Sequence, residues 1–108
     1  MKEYVLKRDN GKDVRFKGKR LAAVDSRDHK RSRQYDVRAR WTEMAMYKTE
    51  GGSYIVSITG RSDVAGEVDR LKVEVFGNKE DMFDGVGFSY LSKALYDEAR
   101  LIQEEFIK

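Results

Sequence analysis

The chain contains no cysteine, no proline and a single histidine among its 108 residues. Without cysteine it forms no disulfide and no thiolate site for zinc or an iron–sulfur cluster, and this composition suits the reducing cytoplasm. Carboxylates are then almost the only side chains left to hold a metal ion. We therefore expect neither a metal site nor a cofactor, and we expect the protein to be cytoplasmic.

Long apolar runs are absent as well. No segment approaches the roughly 20 apolar residues that a membrane-spanning helix needs, and the chain starts without the apolar stretch of a signal peptide. A length of 108 residues suits one domain, residues 1–108, whose core is large enough to fold without a disulfide or a metal. The sequence therefore predicts a small soluble domain with no membrane partner.

Charge is distributed unevenly along the chain. Residues 1–48 contain 15 Lys and Arg against 7 Asp and Glu, whereas residues 49–108 contain 7 against 12. If the two parts form different faces, the basic face attracts anions such as nucleic acid, nucleotides or an acidic partner. If the strands interleave these charges, the surface is evenly mixed and solvated, as in many small domains. Both interpretations stay open.

The densest group of basic residues begins in the polar stretch 25–34 and continues into the next predicted strand. This stretch has no apolar period, so we predict a loop. Arginine and lysine bind phosphate groups, and an adjacent tyrosine is suited to stacking on a base. The predicted anion-binding residues, which we call the basic cluster, are Arg27, Lys30, Arg31, Arg33, Tyr35, Arg38 and Arg40.

Residue types used in catalysis occur without the arrangement that catalysis needs. Asp25, Ser26 and His29 are the types found in a catalytic triad, yet they lie in one short stretch with no second segment to orient the histidine. We therefore predict no catalytic residue. A small metal-independent nuclease that uses Arg33, Glu43 or His29 is a third-ranked alternative.

The strongest structural signal is a long antiparallel hairpin over residues 35–60. Apolar and polar residues alternate along both arms, and Gly51-Gly52 supplies a turn that tolerates positive φ. A two-residue loop at this position sets Tyr47 opposite Val56. The hairpin is therefore predicted to form the centre of a sheet.

A second hairpin is predicted over residues 2–17. Asn10-Gly11 lies between two alternating segments, which is the strongest short-range signal for a hairpin. A turn centred there sets Val5 opposite Phe16.

One further strand and a helix complete the predicted fold. Residues 69–76 alternate as a strand, and residues 89–107 carry an apolar stripe at helical spacing, with Ser89 as the N-cap. The stripe consists of Leu91, Leu95, Ala99, Ile102 and Phe106. We predict an α+β fold in which an antiparallel sheet of about five strands is packed on one face by this long C-terminal helix.

Three apolar residues do not fit the core face of the 35–60 hairpin. Met44 and Met46 lie on the polar side of the first arm, beside Ile55. Either the methionines lie under another element, or Met44, Met46 and Ile55 form an exposed interface strip. Such a strip would be hidden most simply in a homodimer. Glu43 also breaks the pattern, either at a sheet margin or as a functional carboxylate.

The leading functional hypothesis is a small non-enzymatic protein that binds an anionic ligand, nucleic acid or a nucleotide, through the basic cluster. The alternative is a protein-interaction module, such as an inhibitor or adaptor. The chain is short, highly charged and without proline or cysteine, and in these general features it resembles the compact proteins of phages and mobile elements. No family motif accompanies this resemblance in composition.

Overall fold

A computed structural model of the chain describes residues 2–27 and 40–101. Five antiparallel strands form one curled sheet in sequence order, and two helices follow them, so the fold is of the α+β type. The strands are β1 (Lys2–Leu6), β2 (Val14–Asp25), β3 (Arg40–Thr49), β4 (Tyr54–Ser62) and β5 (Arg70–Phe76). The helices are α1 (Lys79–Val86) and α2 (Tyr90–Ala99).

The longest strand, β2, joins the two hairpins into one sheet. Its first part pairs with β1 and its second part with β3, and the pairing register shifts between Arg20 and Ala22. This shift is a β-bulge, in which one extra residue bends the strand and exchanges the faces to which later side chains point. Arg20 and Ala23 consequently lie on the same face of the sheet, although their spacing in a regular strand would place them on opposite faces.

The helices begin and end at capping residues. Asn78 accepts a hydrogen bond from the Asp81 amide at the start of α1, and Ser89 accepts one from the Ser92 amide at the start of α2. Helix α2 ends because Arg100 adopts the left-handed conformation, with φ 61° and ψ 36°.

The sequence prediction of one long helix over residues 89–107 is therefore wrong. The helix spans ten residues, Tyr90–Ala99. The predicted stripe residues Leu91, Leu95 and Ala99 do pack against the sheet. The other two, Ile102 and Phe106, lie outside the described residues.

One hydrophobic core lies between the sheet and the two helices. Met44 and Met46 are 5% and 0% exposed, and they pack with Met82 of α1 and with Leu95 and Tyr96 of α2. The methionines therefore lie under another element, as the first of the two sequence interpretations states. The exposed methionine face that suggested a homodimer does not exist in this fold.

The register of the β3–β4 hairpin differs from the prediction by one residue. Tyr47 pairs with Ile55 rather than with Val56. The connection is longer than two residues, because the Thr49 amide donates to the Ser53 carbonyl and the Ser53 amide donates to the Thr49 hydroxyl, which closes a loop over residues 50–53. Ile55 consequently shares a face with Tyr47 and lies on the opposite face from the methionines, so the predicted interface strip is not formed.

The first hairpin also differs from its predicted register. Phe16 pairs with Tyr4 rather than with Val5, and the connection spans residues 7–13. The Asp9 amide donates to the Leu71 carbonyl at 2.9 Å, and the Leu71 amide donates to the Asp9 carboxylate at 2.9 Å. This loop therefore contacts β5 instead of closing as a tight turn, and it joins the two ends of the curled sheet.

A second, smaller core lies on the concave face of the curled sheet, which is the face away from the helices. Tyr47, Ile55 and Val73 are buried there, and the rings of Tyr4 and Phe16 pack against Tyr47 with centroids 4.9 Å and 5.4 Å away. These side chains fill one half of the concave face. The other half stays open.

Candidate functional site

The open half of the concave face forms a cavity of about 820 Å³. Residues of all five strands or of the loops next to them line this concave cavity, together with Glu98 of α2. Cavities of roughly 300–1,000 Å³ are typical of sites that hold small molecules. The concave cavity is therefore the candidate ligand site.

Small side chains form the floor of the concave cavity. Ala23 of β2 pairs with Ala45 of β3, which in turn pairs with Ser57 of β4. Because these three neighbouring side chains are short, the sheet surface is low along this row. The depression is therefore encoded by residue size at three paired positions.

The inner end of the concave cavity is largely apolar. Leu6 and Val73 line it beside Tyr47, which is 8% exposed. Burial raises the pKa of the Tyr47 hydroxyl, and the neighbouring Arg20 and Ser57 side chains act in the opposite direction. The hydroxyl is therefore protonated at neutral pH and can donate a hydrogen bond.

Arg20 differs from the other cations that line the concave cavity. Lys7 lies 3.9 Å from Asp13, Lys72 lies 3.6 Å from Glu74, and Arg61 is paired as described below. Arg20 is exposed, lies across from Tyr47, and forms no hydrogen bond or ion pair with any residue that the structure describes. Its guanidinium is therefore available for an anion from outside the protein.

The outer end of the concave cavity carries a network of paired charges. The Glu43 carboxylate accepts hydrogen bonds from Trp41 Nε1 and from Arg61 Nε, each at 3.0 Å. Arg61 also donates to Asp69 at 2.7 Å, and both carboxylates raise the pKa of its guanidinium, with the hydrogen bond to Asp69 as the largest single cause. Glu43 thus lies at a sheet margin and has partners, as one of the sequence interpretations states.

Arg27 extends this network. Its guanidinium binds Asp25 through two nitrogens, at 3.0 Å and 2.7 Å, and approaches Glu43 at 4.0 Å. It also lies 4.1 Å from the centroid of the Trp41 ring, a cation–π distance. We refer to Asp25, Arg27, Glu43, Arg61 and Asp69 as the outer charge network.

The structure describes two members of the predicted basic cluster, Arg27 and Arg40, and they belong to different groups of ion pairs. Arg27 belongs to the outer charge network, whereas Arg40 forms a two-nitrogen ion pair with Glu67 at 3.0 Å and 2.5 Å. That pair lowers the pKa of Glu67 to about 2. Both arginines are thus neutralised within the protein. The other predicted members, Lys30, Arg31, Arg33, Tyr35 and Arg38, lie outside the described residues.

Sequence reasoning missed Arg20 and the floor residues Ala23, Ala45 and Ser57. Arg20 is one of several basic residues in β2. Nothing in the sequence marks the bulge that places Arg20 and Ala23 on the same face. The only available signal was the small size of Ala23 and Ala45 at strand positions where larger residues pack better. That signal is weak without the register.

The described part of the chain contains neither a group of metal ligands nor a membrane-spanning helix. Across residues 2–27 and 40–101, no three His, Asp or Glu side chains are grouped so that they could hold a metal ion. No helix in that part of the chain is long and apolar enough to cross a membrane.

No protein-family model, no curated protein and no solved structure matches the chain. Function is therefore inferred from the concave cavity and its charges.

Proposed function

We propose that this protein is a non-enzymatic binder of a small anionic ligand and that the ligand occupies the concave cavity. The observation that carries the proposal is Arg20, a guanidinium that has no partner among the described residues and lies beside a cavity of ligand size. A carboxylate or phosphate group is the ligand chemistry that matches it, because the planar guanidinium donates two parallel hydrogen bonds to either group.

The surroundings of Arg20 support a ligand with both a charged group and an apolar part. The hydroxyls of Tyr47 and Ser57 offer further hydrogen bonds close to the anion. Leu6, Val73 and Ala45 offer apolar surface for the remainder of the ligand. Sites for small molecules commonly combine an apolar lining with a few polar groups that orient the ligand.

This proposal keeps the anionic ligand expected from the sequence but moves its site. In the basic cluster, phosphate binding at Arg27 or Arg40 would compete with Asp25 and Glu67, which already hold those guanidiniums. At Arg20 no residue in the described part of the chain competes in this way. A nucleotide or another small anion therefore fits the described geometry better than a nucleic acid strand does.

Isothermal titration calorimetry with decanoate and with adenosine monophosphate tests the proposal, since the two probes present a carboxylate and a phosphate. We expect at least one probe to bind, and Arg20→Gln to weaken that binding roughly tenfold or more, because a charge-assisted hydrogen bond is lost. Lys19→Gln is the matched control. It removes the same charge from the neighbouring residue of β2, whose side chain points to the other face.

Two results would overturn the proposal. One is binding of neither probe, and the other is binding that Arg20→Gln and Lys19→Gln weaken equally. A single-stranded oligonucleotide that binds tightly while both variants leave its affinity unchanged would instead favour the basic cluster as the site. That last outcome predicts a steep decrease of affinity with salt.

A further inference from the structure

The two ends of the concave cavity differ in charge. Arg20 lies across from Tyr47 at the inner end, and Asp25 lies across from Glu43 at the outer end. Tyr47 and Glu43 are four residues apart on β3, which corresponds to about 13 Å at the usual rise of a strand. The cavity is therefore elongated along β3, with a free cation at one end and carboxylates at the other.

The outer charge network has a net negative charge. It contains the three carboxylates of Asp25, Glu43 and Asp69 and the two guanidiniums of Arg27 and Arg61. Its two cations are already bound to these carboxylates, so they attract a second anion weakly. Among the described residues of this network the carboxylates therefore outnumber the guanidiniums, which disfavours an anionic group at this end of the cavity.

Glu43 retains capacity to accept hydrogen bonds from a ligand. Its Oε1 atom accepts from Arg61 and its Oε2 atom from Trp41, at 3.0 Å each. A carboxylate has about four lone-pair positions, and the side chain borders the cavity. A positively charged group at the outer end would therefore find both an acceptor and a favourable field.

Short or apolar side chains lie between the two ends, and the two lysines that also line the cavity, Lys7 and Lys72, are paired with Asp13 and Glu74. Ala45 and Ser57 form the floor there, and Leu71 and Val73 line the β5 side. A long unbranched body fits such a surface, because it covers short side chains without needing a charged partner. The length of this unbranched body sets the distance between the two charged ends of the ligand.

We infer that the concave cavity selects an elongated ligand that is anionic at one end and cationic at the other, and that Glu43 determines this specificity. The inference rests on the proposed function, because Arg20 must first bind the anionic end. It adds that specificity comes from repulsion of a second anion as well as from attraction of a cation.

A series of three probes with the same carbon chain tests the inference: decanoic acid, its ω-amino derivative, and decanedioic acid. Each is titrated into the wild-type protein, and the dissociation constants are compared. We expect the ω-amino acid to bind most tightly and the diacid least, with a difference of roughly tenfold between them. Any other order of affinity would overturn the inference.

Substitution of Glu43 identifies the residue responsible. In Glu43→Gln we expect the difference between the ω-amino acid and the diacid to shrink, and we expect Glu50→Gln to leave it unchanged. Glu50 lies in the β3–β4 loop and does not line the cavity, so it controls for loss of one negative charge. An undiminished difference in a folded Glu43→Gln variant would contradict the assignment of Glu43.

The failures of the two proposals are distinguishable. If all three probes bind with equal affinity and Arg20→Gln weakens each of them, the specificity inference fails while the proposed function stands. If no probe binds, or if Arg20→Gln has no effect, the proposed function itself fails. The comparison of the three probes on the wild-type protein tests the inference even if the Glu43→Gln variant does not fold.

Discussion

At the scale of single residues, the candidate site depends on Gly18 although this glycine does not touch it. A β-carbon at Gly18 would lie 2.2 Å from the Lys48 carbonyl oxygen, far inside van der Waals contact. The absence of a side chain lets the backbones of β2 and β3 approach at the position where β2 leaves β1. The bulge that follows Arg20 then places Ala23 on the same face as Arg20.

We expect Gly18→Ala to lower the free energy of unfolding by roughly 1–3 kcal/mol, because the new methyl group meets backbone that cannot move aside as a side chain can. Chemical denaturation measures this change. Gly77→Ala is the matched control, since a β-carbon there meets no atom within 4 Å and neither glycine has a positive φ. Equal stability of the two variants would show that the strands do not approach so closely at Gly18.

At the scale of elements, the loop between β1 and β2 connects the two ends of the sheet. Asp9 contacts Leu71 through its backbone amide and its carboxylate, and Arg8 donates to the Val73 carbonyl at 3.2 Å. Leu71 and Val73 also line the concave cavity. The loop therefore fixes the position of the β5 wall relative to the opposite wall on β1.

We expect Asp9→Ala to cost about 1 kcal/mol of stability, the typical net contribution of one hydrogen bond. The sharper effect is local: the Leu71 amide loses its acceptor and should exchange with deuterium faster than in the wild-type protein. Asp13→Ala is the control, because Asp13 lies in the same loop but contacts only the exposed Lys7. Unchanged exchange at Leu71 would contradict the role given to this loop.

The prediction of the elements from the sequence succeeded where the pattern is local. Alternation identified the strands, and the cap at Ser89 marked the start of α2. The registers failed because they depend on distant partners. Asp9 bonds to β5, and Thr49 closes a longer loop than the two glycines suggested.

At the scale of the whole molecule, the curl of the sheet divides one face into a packed half and an open half. The aromatic residues Tyr4, Phe16 and Tyr47 fill the packed half, and the small residues Ala23 and Ala45 leave the other half empty. The site arises only when both hairpins are joined, because its floor and its walls come from different strands. No single segment of sequence displays it.

The whole-molecule view also explains why the uneven charge along the chain did not locate the site. Arginines from residues 1–48 pair with carboxylates from residues 49–108, as Arg40 does with Glu67. Conversely, Arg61 from residues 49–108 pairs with Glu43 from residues 1–48. The sheet therefore interleaves the charges in this region. Arg20, which has no ion-pair partner among the residues the structure describes, can be identified only after the other arginines have been assigned to theirs.

The position of the bound anion tests the central claim most directly. Two-dimensional ¹⁵N–¹H spectra recorded during a titration with the ω-amino derivative of decanoic acid would map it. We predict that the largest shift changes occur at the amides of Ala23, Ala45 and Ser57, on the floor of the concave cavity. Shift changes confined instead to the strand end around Arg40, or to the helices, would contradict the assignment of the ligand site to the concave cavity.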